Sequence, residues 1–265
     1  MLKQGLAACG ILISMSCGQG EAADIGGGYT KPPVAGTQLR GSFGMRTWFS
    51  SVKADYDHAD IHVFNAEDIN SISTEAYYRL ESSATRFYFQ GTAGIGANMG
   101  GRFKGPYVVD RDLGNSAFGY FNADLGFRAF DLKGHTLGAF VGYQYVHDKF
   151  KTPSVNRYYY YRNPSWLLGR LGVSGHGQFT DKFGWHAEAA YIPVGKIDTG
   201  QNVETSKEAK GYQAEVFLTY SPTEAWSLGL GARHWRFEGE LERSGQKFTV
   251  DYTRSGLLLE AAYRF

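Results

Sequence analysis

Cysteine, surplus charge and long apolar segments are all scarce in this sequence. Its two cysteines, Cys9 and Cys17, both lie in the first 22 residues, so the rest of the chain can form no disulfide, thiolate metal site or cysteine nucleophile. The 27 Lys and Arg nearly balance the 26 Asp and Glu, which argues against a nucleic-acid partner. After residue 22 no apolar run approaches the roughly 20 residues that a membrane-spanning helix requires.

The first residues have the pattern of a secretory signal. Lys3 precedes a short apolar run over 5–17, and small residues at 20 and 22 suit cleavage before Ala23. We therefore expect a cleaved signal peptide over 1–22 and an exported chain that begins with a periplasmic segment over 23–38.

What the sequence has in abundance is glycine and aromatic residues in an alternating pattern. It contains 35 Gly, 18 Tyr and 18 Phe. In the closing stretch "RSGLLLEAAYRF", apolar residues occupy one face of a strand and Arg254, Glu260 and Arg264 the other. Apolar side chains toward lipid with polar ones toward a lumen are typical of a membrane barrel.

The same alternation recurs along the chain and predicts ten strands, at about 39–56, 70–81, 85–98, 116–130, 136–147, 165–179, 184–198, 210–220, 225–238 and 247–265. Four tight turns alternate with five long polar connections, at 57–69, 99–115, 148–164, 199–209 and 239–246. This predicts an all-β fold, a ten-stranded antiparallel transmembrane β-barrel over 39–265 in the outer membrane. The lumen should be filled, the long loops should face outward, and both termini should be periplasmic. A secreted β-sandwich would explain the strands but not the alternating loop lengths or the terminal Phe265.

Three stretches resemble the omptins, outer-membrane endoproteases of Gram-negative bacteria: "NADLGFRAFDLKGHTLGAFVGYQY", "GRLGVSGHGQFTDKFGWHAEAAY" and "VVDRDL". The resemblance implies that Asp110 and Asp112, in the second external loop, match the catalytic aspartate pair of that family. In omptins this pair faces an Asp and a His in the fourth external loop, which together activate a water molecule. Here the fourth loop, 198–211, contains no histidine. The resemblance thus gives Asp110 and Asp112 as half of a catalytic site.

Other residues offer alternatives. His58, His62 and His147 could reach the barrel mouth, but none has the paired spacing. The two aspartates could instead cap turns, and they supply too few oxygens for calcium, so we expect no metal and no cofactor. The third loop carries a surface-contact candidate that could equally belong to an aromatic girdle: Arg157, Tyr158, Tyr159, Tyr160, Tyr161 and Arg162.

Three functions follow. The favoured one is a non-proteolytic surface barrel, structural or adhesive, and the alternatives are an omptin-like endopeptidase with a rearranged site and a narrow small-solute channel. The expected partners are outer-membrane lipid, with lipopolysaccharide as a candidate, the barrel assembly machinery through the strand ending in Phe265, and an extracellular protein.

Overall fold

The computed structural model describes residues 39–58, 61–105, 108–150, 164–198, 204–243 and 245–265. The predicted signal peptide, 1–22, and periplasmic segment, 23–38, lie outside these residues. The described chain forms twelve strands: β1 (Leu39–His58), β2 (Ile61–Ser82), β3 (Phe87–Met99), β4 (Arg102–Gly105), β5 (Val108–Asp112), β6 (Ser116–Leu132), β7 (His135–Asp148), β8 (Ser165–Gln178), β9 (Phe183–Asp198), β10 (Glu204–Tyr220), β11 (Trp226–Arg243) and β12 (Gln246–Arg264). Nowhere in these ranges is there a helix long and apolar enough to cross a bilayer.

Ten of the strands close into an antiparallel barrel, as the sequence predicts. The order is β1-β12-β11-β10-β9-β8-β7-β6-β3-β2, and β1 also pairs with β2. Following paired residues once around the barrel from Arg40 leads back to β1 at Val52, twelve residues further along. This stagger corresponds to strands tilted by roughly 40°. Closure pairs every barrel strand on both sides and excludes the open sandwich.

The two ends of the barrel differ. At one end, here the turn end, neighbouring strands join through the short connections 83–86, 133–134, 179–182 and 221–225. At the other, here the hairpin end, the strands run on well past the predicted limits. The predicted loops 57–69 and 239–246 are therefore wrong over most of their length, because β2 begins at Ile61 and β11 and β12 nearly meet at Gly245. Likewise β10 begins at Glu204, and the predicted loop 99–115 contains β4 and β5.

A belt of apolar side chains surrounds the turn-end half of the barrel. On β12, Leu257 and Leu259 face outward with 60% and 52% exposure, while Glu260 faces the lumen with 6%. Exposed apolar residues on other strands include Ile95, Val173 and Leu218. Only a lipid environment accommodates a continuous apolar surface of this kind, so the belt is the transmembrane part of the barrel.

Toward the hairpin end, residues still alternate between the inner and outer faces of the barrel, but the inner face is now apolar and the outer face polar. In the first residues of β12, near the hairpin end, Phe248 and Val250 face inward and are buried. Asp251 lies on the outward face between Val250 and Tyr252. Strand β1 does the same, with Tyr56 inward. Since water replaces lipid outside, the outer face becomes polar and the inner face must supply the apolar contacts. The polar outward-facing residues of these strand extensions therefore lead the sequence pattern to predict loops where the structure has strands.

An ionic layer crosses the lumen inside the belt. It consists of two arginines and three glutamates from five strands: Arg46, Glu75, Glu215, Arg233 and Glu260. The Arg46 Nε donates to Glu260 at 2.8 Å, and the two terminal nitrogens of Arg233 donate to Glu75 at 2.7 and 2.8 Å. Bidentate pairing of this kind fixes the strands across the lumen and leaves no wide pore.

Above the ionic layer lies an aromatic ceiling, formed by Trp48, Tyr120 and Trp235. The ring centroids of Trp48 and Trp235 are 4.7 Å apart, and those of Tyr120 and Trp235 are 5.1 Å apart. The ceiling continues into the hairpin-end core, one contiguous cluster that includes Tyr56, Phe64, Ile69, Leu113, Phe118, Val146, Phe150, Trp166, Leu168, Ile192, Ile197, Ala209, Phe237, Leu241, Phe248, Val250 and Tyr252. Each large apolar side chain buried there contributes about 1.5–3 kcal/mol to stability. The described lumen is thus filled from its middle to the hairpin end.

Candidate functional site

The predicted aspartate pair lies in a small hairpin at the hairpin end. Gly100 and Gly101, with φ of 66° and 120°, turn the chain out of β3, and a Cβ on Gly101 would lie 2.5 Å from the side chain of Ile69. Only glycine fits this turn without strain. Strand β4 then pairs with β2, and β5 folds back on β4. Both Asp110 and Asp112 belong to β5.

Asp112 is exposed and lies opposite Arg102 in the β4–β5 register. The side chain of Asp110 lies outside the described part of the structure. The surface-contact candidate of the third loop, Arg157–Arg162, also lies outside it. The roles assigned to these residues therefore stay predictions.

Two ion pairs, one exposed and one partly buried, fasten β4 to β2. Arg102 pairs with Asp68, its Nε donating at 3.1 Å, and the Lys104 ammonium pairs with Glu67. These partners lower the pKa of Asp68, through the hydrogen bond from Arg102, and the pKa of Glu67, through the hydrogen bond from Lys104. Both carboxylates are therefore ionised at neutral pH and occupied by cations.

The opposite wall of the mouth, where the omptin resemblance requires an Asp-His pair, carries apolar residues on its inner face. Ile197 of β9 and Ala209 of β10 are fully buried in the hairpin-end core. The same core contains Leu113, which directly follows Asp112, and Phe64 of the facing hairpin. Among the described residues, both walls therefore contribute apolar side chains to the hairpin-end core.

The structure reveals one Asp-His pair that sequence reasoning missed. At the tip of the β1–β2 hairpin, the His62 Nδ1 lies 3.0 Å from the Asp57 Oδ1, and both side chains are nearly half exposed. They are five positions apart along the chain, so they meet only because β1 and β2 pair at Asp57 and His62. A predicted hairpin turn between Asp57 and His62 would have placed the two side chains opposite each other. The sequence pattern instead predicts one long loop over 57–69.

The other two histidine candidates contact an aromatic ring and a hydroxyl group. The ring of His58 packs against that of Phe248, with centroids 4.7 Å apart. The His147 Nδ1 lies 2.7 Å from the Ser165 Oγ. Within the described ranges no group of three or more His, Cys, Asp or Glu could hold a metal ion.

One solved structure is similar to this barrel over most of its length. The outer membrane protease OmpT from Escherichia coli is similar over 89% of this chain and 99% of its own, with a TM-score of 0.59 and 10% identity. The chain has an omptin-like fold. At this identity the likeness concerns the fold alone. No protein-family model matches the sequence, and a search of curated proteins finds no significant match.

More distant barrels are also similar. The β domain of the Bordetella autotransporter BrkA matches with a TM-score of 0.44 and 11% identity, over 86% of this chain and 97% of its own. OprG from Pseudomonas aeruginosa matches with a TM-score of 0.40 and 11% identity, over 85% of this chain and 96% of its own.

Proposed function

We propose that this protein is a non-proteolytic outer-membrane barrel that acts as a structural or surface-contact protein through its hairpin end. The observation that carries the proposal is the hairpin-end core, which occupies the mouth where an omptin-like site would need a water-filled cleft. The absence of histidine from 198–211 agrees with it.

We orient the barrel with the hairpin end outside the cell and the turn end in the periplasm. Support comes from the polar outer face of the strand extensions, which suits water beyond the lipid headgroups. Lipopolysaccharide is the proposed lipid partner, and the terminal strand ending in Phe265 is the proposed signal to the assembly machinery. The proposed contact segment toward an extracellular protein is Arg157–Arg162.

Cleavage of a quenched peptide library by the refolded barrel, with lipopolysaccharide present, tests the proposal. A double variant Asp110→Asn, Asp112→Asn is the matched control. We expect no cleavage above that of the variant. Cleavage that the variant loses would overturn the proposal.

One observation favours omptin-like proteolysis with a rearranged site as the second candidate. The Asp57–His62 pair could orient an imidazole as a general base, although it lies in the first hairpin rather than the fourth loop. If the library is cleaved, His62→Gln should abolish cleavage, and His58→Gln, whose ring has an aromatic neighbour, should leave it intact.

The narrow channel has the least support, because the aromatic ceiling and the hairpin-end core lie across the lumen. Planar-bilayer recordings of the refolded barrel should give no unitary conductance steps. Regular steps would require these residues to move apart and would favour the channel.

A second experiment addresses surface contact itself. A variant with Tyr158 to Tyr161 replaced by serine, and with Arg157→Gln and Arg162→Gln, should bind lipopolysaccharide vesicles or cell surfaces at least tenfold more weakly than the wild type. Equal binding would remove this segment from the proposal.

A further inference from the structure

The transmembrane half of the lumen contains a polar cavity that no proposed activity uses. Its volume is about 260 Å³. Its lining includes Arg40, Gln178, Ser221 and Arg264, which lie beside the turn end, and reaches Tyr120 and Trp235 of the aromatic ceiling. Among the described residues, the cavity is therefore a blind cup that begins at the turn end and is closed above.

Most cations of the cup are matched by carboxylates. Arg46 and Arg233 belong to the ionic layer, and the Arg79 Nε donates to Glu81 at 2.6 Å. These groups fill one another's hydrogen-bonding capacity. They hold the barrel together and leave little charge for a ligand.

Arg264, at the mouth of the cup, differs from them. Its guanidinium donates to two hydroxyls, Ser221 Oγ at 3.1 Å and Ser227 Oγ at 3.0 Å. Glu260, the carboxylate that acts on Arg264 electrostatically, already pairs with Arg46 at 2.8 Å. A guanidinium flanked by hydroxyls is suited to bind an oxyanion, since all these groups can donate hydrogen bonds to it.

Arg170, near the blind end, provides a second and independent observation. It is 1% exposed, and it pairs with Glu188 and, at 3.5 Å, with Asp124. Its Nη1 is the atom that faces Asp124, and its Nε has no hydrogen-bond partner. Buried donors without partners are rare and call for an occupant.

We propose that the cup binds a small oxyanion, a carboxylate or phosphate, that enters from the turn end. Arg264 captures the anion at the mouth, and the free Nε donor of Arg170 binds it at depth. Because the ceiling blocks further passage, the cup is a binding site rather than a conduit.

Isothermal titration of the refolded barrel in a zwitterionic detergent tests this. The probes are inorganic phosphate and succinate, with glucose as the neutral control. We expect saturable binding of at least one anion and none of glucose. Repeating the titration in phosphatidylglycerol nanodiscs separates the sources of the anion, since occupancy by a lipid headgroup would abolish binding of the free anion there.

Two variants and one control decide the outcome. Arg264→Gln breaks no ion pair, since Glu260 keeps its partner Arg46, so it should fold, and it should weaken binding at least tenfold. Ser42→Phe narrows the cup from another strand and should also weaken binding at least tenfold. It replaces Arg264→Gln as the test if that variant does not fold. Arg236→Gln, an exposed arginine on the outer face, should change nothing. Absence of anion binding, or equal binding by Arg264→Gln and the wild type, would overturn the proposal.

Discussion

Replacing Arg254 by methionine tests how strongly buried charge holds this barrel together. Arg254 and Asp148 are both fully buried, and the Arg254 Nη2 lies 2.6 Å from the Asp148 Oδ2. The arginine also donates to Tyr252 Oη at 2.7 Å, and its guanidinium carbon lies 3.7 Å from the ring centroid of Phe118. It therefore ties β12 to β6 and β7 across the lumen.

The expected cost follows from what remains around Asp148. Removing one partner of a buried ion pair typically costs about 3–5 kcal/mol, because the other charge stays buried and unpaired. Asp148 keeps two donors, Asn98 Nδ2 at 2.7 Å and Tyr252 Oη at 2.9 Å. We therefore expect Arg254→Met to lower the free energy of unfolding by about 3 kcal/mol, at the lower end of that range.

A double variant isolates the orphaned charge. Adding Asp148→Asn to Arg254→Met removes the unpaired carboxylate while keeping its shape, so the double variant should be more stable than Arg254→Met alone. Urea unfolding of barrels folded into lipid vesicles, extrapolated linearly to water, measures both. A loss below about 1 kcal/mol for the single variant would refute the reasoning. A double variant no more stable than the single one would refute it as well.

Three further predictions concern other parts of the barrel. Leu259→Arg, in the apolar belt, should lower the free energy of unfolding in vesicles by about 2–4 kcal/mol. Thr249→Arg, on the same face but beyond the belt, should lower it by under about 0.5 kcal/mol. Equal losses would contradict the change from an apolar to a polar outer face. Phe64→Ala should cost about 3–5 kcal/mol and increase amide exchange in the first hairpin, because its ring stacks on the hairpin-end core. Lys104 lowers the pKa of Glu67. The ion pair should therefore stabilise β4 fully above pH 4.5, the ordinary pKa of a glutamate, and this stabilisation should be lost as the pH falls through the lowered pKa of the folded state. Amide exchange of β4 against pH measures this, and Glu67→Gln should remove the dependence.

The sequence predicts the transmembrane half of the barrel well. There the outer face meets lipid, so every second residue is apolar, and the alternation marks each strand and each short turn. Leu257 and Leu259 against Glu260 show the rule directly. The strand number and the filled lumen follow from the same pattern.

The candidate site could be predicted only in part. The position of Asp110 and Asp112 in the second external connection was open to sequence reasoning, but the β4–β5 hairpin that carries them depends on a glycine turn and on pairing with β2. The Asp57–His62 pair was not predicted, because it requires the strands to continue where polarity indicated a loop.

By itself, then, the sequence determined a ten-stranded transmembrane barrel, because one lipid-facing side forces a period of two on each strand. Only the tertiary structure decided what fills that barrel. Closure with a stagger of twelve residues brings together groups far apart in the chain, such as Arg46 with Glu260 and Arg233 with Glu75. It also sets the aromatic ceiling above the cup and packs apolar residues into the mouth. These contacts are set by the register between strands, which no single strand's pattern encodes.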